Sequence, residues 1–159
     1  MATTIQLNAF DTASVSDAIR QLELLRSEQD EKVSDACMRL AEYGANRART
    51  GFSTATYDGR NDVTVTAESI PFGARVRASG EAVLFIEYGA GATIGYGHPR
   101  VGRYGPGTYN PLSDNWKNPN GWYYAHGKKS RGNPPACAMY NAEQDMYYRA
   151  YEISSEVFK

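Results

Sequence analysis

Ten of the fifteen glycines and six of the seven prolines fall within residues 89–135. No other feature restricts the fold as much. A stretch so rich in residues that break helices and interrupt strand ladders holds neither a long helix nor a central strand. Regular structure must therefore come from what precedes and follows it. The stretch is no ordinary linker either. It carries Tyr96, Tyr104, Tyr109, Trp116, Trp122, Tyr123 and Tyr124, and aromatic side chains at that density require burial or a partner. Loop 92–132 is accordingly expected to order within an assembly rather than in the free chain.

The flanks are periodic. Val15, Ile19, Leu22 and Leu25, then Val33, Cys37, Leu40, Ala41, Gly44 and Ala48, recur at helical spacing, with Ser14 or Ser16 as candidate cap and Gly51 as terminator. The polar run 26–32 marks either an exposed middle or a break, and one long helix is the preferred reading. Residues 52–57 suggest a strand, and Asp58-Gly59 a turn. Val63 and Val65, then Ala74, Val76 and Ala78, alternate with polar neighbours on either side of a turn at 71–73, as in an antiparallel meander with one wet face. Residues 82–88 are apolar except Glu87 and fit a buried strand or a short helix equally well. Met139, Ala142, Met146, Ala150, Ile153 and Val157 define a last helix behind Asn133-Pro134-Pro135. The expected class is α+β: a long N-terminal helix and a C-terminal helix on one face of a small antiparallel sheet, with a long Gly/Pro/aromatic loop. An arm over residues 1–13 precedes a single domain over 14–159.

Charge and cysteine content exclude several classes. The net charge of −1 carries no polyanion-binding signature. It is unevenly placed, however. Arg100, Arg103, Lys117, Lys128, Lys129 and Arg131 against Asp114 give the loop +5 and leave −6 for the rest. Cys37 and Cys137 lie far apart with no CxxC or Cys/His cluster, so small buried thiols are expected and a zinc site is not. Residues 1–10 lack a basic segment followed by an apolar one, and no run approaches 18 apolar residues. Neither a signal peptide nor a membrane span is therefore expected.

One string invites a catalytic reading. Thr93-Ile94-Gly95-Tyr96-Gly97-His98 resembles a signature of phage-type lysozymes, a family with an acidic or thiol residue six positions before the threonine and a catalytic glutamate nine before that. Here the first place holds Glu87 and the second holds Ala78. Glycoside hydrolysis uses two carboxyl groups, and Glu81 is off spacing, so no muramidase activity is expected. The histidines, His98 and His126, sit in no metal-binding pattern. No GxSxG elbow, dinucleotide fingerprint or Walker loop is present. No catalytic residue, cofactor or metal is expected. A lone Glu87 in an apolar run must be paired or hydrogen-bonded. It either pins the fold or meets another subunit, with Gly89 and Gly91 offering backbone N–H groups beside it. Trp122 and Tyr123 are expected to anchor the loop to the sheet.

Three landmarks recur in a known order. A long helix ends in Gly44-Ala45-Asn46-Arg47-Ala48. Then Ala82-Val83-Leu84-Phe85-Ile86-Glu87-Tyr88-Gly89-Ala90-Gly91 follows the scheme aliphatic-Glu-aromatic-Gly-small-Gly. Last come Gly121-Trp122-Tyr123-Tyr124 and Arg131-Gly132-Asn133-Pro134, leading into Met139-Tyr140-Asn141-Ala142. Over residues 30–150 the chain resembles the head–tail joining and tail-completion (neck, minor tail) proteins of tailed bacteriophages. That resemblance implies a non-enzymatic virion protein, a homo-oligomeric ring around the DNA channel touching other neck and tail proteins, assembled in the host cytoplasm. A tail-terminator or head-closure ring is the nearest alternative. A cell-wall hydrolase and a nucleic-acid-binding module using the basic loop are the others. Candidate interface positions are Glu87, Gly89, Gly91, Tyr109, Trp116, Trp122, Tyr123, Lys128, Lys129 and Arg131.

Overall fold

The first helix starts where Asp11, in an extended conformation, accepts a hydrogen bond from the Ala13 N–H at 3.0 Å. In the computed structural model, which describes residues 5, 11–57, 59–91, 97–100, 117–123, 127 and 129–159, α1 spans Thr12–Ser53. At 1.5 Å per residue it is about 63 Å long. Asp11, not Ser14 or Ser16, is the cap: a carboxylate both accepts from the first turn and favours the positive end of the helix. Ser16 instead donates to the Thr12 carbonyl at 2.9 Å. The polar run 26–32 does not break the helix.

Nor does Gly51 end it. Phe52 lies one turn beyond Ala48 on the buried stripe, so burial carries the helix on to Ser53. The strand expected at 52–57 is thereby displaced. Only Tyr57 keeps strand-like pairing, exchanging two backbone hydrogen bonds of 2.9 Å with Arg60 across a tight turn at Gly59.

The sheet is a hairpin of β1 (Thr64–Ile70) and β2 (Gly73–Ser79), in register from Thr64 opposite Ser79 to Ile70 opposite Gly73. Along β2 the outward side chains of Arg75, Arg77 and Ser79 are exposed, in the alternation that a half-buried strand imposes. At the tip, Phe72 adopts φ 65° and is 106 % exposed. A bulky side chain pays for this left-handed conformation without burial to offset it. Phe72→Gly relieves roughly 1–2 kcal/mol of backbone strain and adds roughly 0.4–1 kcal/mol of unfolded-state freedom. A net stabilisation of about 0.5–1 kcal/mol is expected in urea titrations; a loss would show that Phe72 makes a contact its exposure denies.

Residues 82–88 resolve as helix: α2 spans Val83–Tyr88. Its first turn is capped from a distance, by Asp62 accepting from the Glu81 N–H at 2.5 Å and the Ala82 N–H at 3.0 Å. Those two backbone donors hold the Asp62 carboxyl below its usual range.

The last helix, α3, spans Ala138–Val157 and lies antiparallel against α1. Small residues make the approach possible. A Cβ on Gly51 would stand 2.7 Å from the Ala138 Cβ, and one on Gly44 would strike the Met146 sulfur. Arg47 and Asp145 close the pair with a 2.6 Å ion pair. One core joins α1 (Ala45, Ala48, Phe52), β1 (Val65), Ala82 and Ile86 beside and within α2, and α3 (Ala138, Ala142). The fold is α+β as its sequence pattern indicates, and among the described residues no helix is long and apolar enough to cross a membrane.

Candidate functional site

The C-terminal end of α2 and the N-terminal end of α3 meet head on, and their backbones are joined reciprocally. Three carbonyls at the end of α2 need donors. Phe85 receives the Asn133 side-chain amide at 2.8 Å, Ile86 the Ala136 N–H at 2.8 Å and Glu87 the Cys137 N–H at 3.2 Å. In return, the Glu87 side chain supplies the acceptors that the start of α3 lacks. Its Oε2 accepts from the Met139 N–H at 2.8 Å and its Oε1 from the Tyr140 N–H at 2.9 Å. Cys137, the residue at the helix boundary, makes no side-chain cap and is left-handed at φ 53°. A carboxylate from another element thus caps α3, where the helix dipole also favours negative charge.

A third donor reaches the same carboxylate. His98 Nε2 lies 3.2 Å from Glu87 Oε1, and His98 Nδ1 accepts from the Arg100 N–H at 3.0 Å. Since Nδ1 accepts, the ring proton sits on Nε2 and is donated to Glu87. Glu87 is 4 % exposed and His98 3 %; they are the buried polar side chains among the described residues. The imidazole is flanked by Tyr88, 4.3 Å away between ring centres, and by Tyr140 at 5.7 Å. Arg100 covers the Tyr140 ring at 5.4 Å and pairs with Glu143 at 2.7 Å. An open cleft of about 270 Å³ lies over this group, between β2 and α3.

Behind the carboxylate, two chain segments press together. Ala90 and Asn133 exchange backbone hydrogen bonds of 2.9 and 3.0 Å. Glycine is needed on both sides. A Cβ on Gly89 would be 2.8 Å from the Asn133 carbonyl oxygen, one on Gly91 2.5 Å from that of Arg131, and one on Gly132 would overlap that of Ala90. All three have positive φ.

The structure therefore brings Glu87, Gly89, Gly91, Trp122 and Arg131 into one neighbourhood. It corrects the role of the aromatic pair. Trp122 and Tyr123 form β3 (Trp122–Tyr123), which pairs with β4 (Lys129–Ser130) in a two-stranded ladder of its own rather than with the β1–β2 sheet. Successive strand residues face opposite ways. Trp122 lies inward, with its ring 3.2 Å from where a Gly91 Cβ would stand, and Tyr123 points outward. Lys129 and Arg131 are exposed. Tyr109, Trp116 and Lys128 lie outside the described residues, as do Thr93 to Tyr96 of the lysozyme-like string, His126, and all of the 1–13 arm except residues 5 and 11–13.

Sequence reasoning left His98, Asn133, Tyr140 and Glu143 unassigned. A trace of His98 was present: a lone carboxylate in an apolar run needs a donor, and the string places a histidine eleven residues on.

The polar atoms of Glu87 and His98 are engaged in hydrogen bonds within the fold. Glu87 faces three donors. Burial, with the Glu87 charge beside it, pushes the Cys137 thiol up from its usual range, which disfavours the thiolate. Among the described residues no three His, Cys, Asp or Glu side chains stand close enough to share a metal ion. No protein-family model, curated protein or solved structure matches this chain.

Proposed function

We propose that the chain is a structural subunit of a tailed-phage virion, built as one copy of a ring into the neck between head and tail. The observation that carries this reading is the division between inside and outside. The buried polar groups Glu87 and His98 are spent on joining α2 to α3, whereas Ile19, Leu22, Val33, Tyr147, Tyr148 and Tyr151 stay exposed on the helices. Such a surface suits a protein that acts by being assembled. The second and third sequence landmarks also support it. Although some forty residues apart, they meet at the Ala90–Asn133 pairing.

Charge supplies orientation. The acidic side chains Glu28, Asp30, Glu31 and Asp35 are exposed on α1, and Lys129 and Arg131 of the loop are exposed as well. The loop of one copy on the acidic helix of the next makes a head-to-tail contact whose repetition closes a ring. Exposed pairs contribute only about 0–1 kcal/mol each, so they set register rather than supply most of the affinity.

The test is a triple reversal, Lys128, Lys129 and Arg131 to glutamate, supplied in trans to a phage lacking the gene. Folded, soluble protein is expected, with unjoined heads and tails accumulating and the infectious yield falling at least tenfold. A normal yield rejects the role of loop charge, and normal particles without any copy of the protein reject the neck assignment.

A further inference from the structure

Among the described residues, the contacts of α1 with α3 do not extend upstream of Cys37. Contacts with α3 run from Gly51, against Ala138, to Leu40 and Cys37, which share an apolar groove with Tyr147 and Ala150. Upstream of Ala41, Ala18 alone is buried among the described residues of the helix. Yet the apolar stripe does not stop where α3 does. Val15, Ile19, Leu22, Arg26, Gln29 and Val33 are spaced 4, 3, 4, 3, 4, the alternation of a helix seam that expects another helix. They continue the face that Leu40 and Gly44 turn toward α3. Ile19, Leu22 and Val33 are 53 %, 56 % and 45 % exposed.

A second seam, carrying exposed aromatic side chains, runs along α3 from the rim of that groove. Gln144, Tyr147, Tyr151, Ser154 and Phe158 are spaced 3, 4, 3, 4. Tyr147, Tyr148 and Tyr151 are 81 %, 79 % and 83 % exposed. Tyrosine of this exposure, three times on two turns, is surface a monomer has no reason to display.

We infer that the two seams are the halves of one contact: the part of α1 upstream of Cys37 in one copy packs against the tyrosine face of α3 in the next. Three arguments select this occupant. The seams have the same spacing, and one offers aliphatic side chains where the other offers aromatic ones. Their area suffices. Three tyrosines at these exposures bring roughly 350–600 Å², about half of the ~1,000 Å² total of a specific interface, and the aliphatic seam with its flanks brings the remainder. Arg26, which also reaches Asp30 of its own helix at 3.8 Å, makes the third argument. In a parallel pairing of α1 with α1 it would face its own copy, like charge to like charge. Against α3 it meets tyrosine rings, which attract a guanidinium. Because the halves are different surfaces, the contact is head-to-tail and repeats from copy to copy. The inference rests on the self-assembly part of the reading above and not on the neck role.

The experiment uses the full chain. A photoreactive benzoylphenylalanine replaces Leu22, and ¹⁴N- and ¹⁵N-labelled protein are mixed before irradiation. Isotopically mixed cross-links from position 22 to peptides within 139–158 are expected. Cross-links to 12–35 of another copy would assign the seam to α1–α1 pairing and overturn the proposal. So would cross-links confined to one chain, or wild-type protein that light scattering finds monomeric at high concentration. In parallel, Leu22→Glu and Tyr151→Glu should each weaken self-association at least tenfold while leaving the thermal midpoint within a few degrees, since both side chains are exposed in the monomer. Weakening by neither variant overturns the proposal too. If the cross-links form and the phage assay fails, the neck reading falls and the interface stands.

Discussion

Glu87→Gln is expected to destabilise the protein by about 3 kcal/mol, with the fastest local change at the start of α3. A carboxylate is an acceptor only, and here both oxygens are surrounded by donors: the Met139 and Tyr140 N–H groups and His98 Nε2. Glutamine keeps one acceptor. Whichever way its amide turns, an NH₂ group faces an N–H at 4 % exposure. Leaving one such donor unsatisfied costs about 1–3 kcal/mol, and a hydrogen bond to a charged group contributes about 1.5–3 kcal/mol. The favourable charge at the helix N-terminus is lost as well. Urea titration measures the total. Amide exchange at Met139 and Tyr140 localises it, and should accelerate more than exchange at Ala48 or Val65 in the shared core. A variant within 0.5 kcal/mol of wild type would mean that the clasp between α2 and α3 is held by the backbone pairs alone.

A still larger effect is expected of Gly132→Ala. Its φ is +101°, and the new methyl would overlap the Ala90 carbonyl oxygen, 2.6 Å from the carbonyl carbon and 3.0 Å from Gly91 Cα. Those neighbours are backbone and cannot swing away. Relief requires parting the Ala90–Asn133 pair, which breaks two hydrogen bonds and slackens the approach of Asn133 to Phe85. A loss of about 4 kcal/mol or more follows, in the range reserved for steric failure in packed structure. Gly59→Ala is the control. Gly59 also has positive φ, +72°, but nothing lies within 4 Å of its Cβ position. It should lose only about 1–2 kcal/mol, the conformational part. Equal losses at the two sites would show that close approach at Gly132 is unimportant.

Much of this molecule is dictated by local order along the chain. Helical spacing from Val15 to Ala48 and from Met139 to Val157, and strand alternation from Ala74 to Ala78, each suffice to identify an element, because amphipathic periodicity records which face will be buried. The concentration of glycine and proline in 89–135 locates the irregular half. A carboxylate alone among apolar residues already demanded partners at Glu87. What those partners are was decided only by tertiary structure. The donors are backbone N–H groups of Met139 and Tyr140, more than fifty residues away, and a backbone amide carries no residue-specific mark in a sequence. The same holds for Gly91 and Gly132, whose necessity comes from a neighbouring strand of chain rather than from a local turn. Helix boundaries followed tertiary demands too. Phe52 stayed helical because Ala45, Ala48 and Phe52 meet one core, and residues 82–88 became a helix because Asp62 caps one end and Asn133 to Cys137 receive the other. Periodicity tells which face is buried; only the folded chain determines against what.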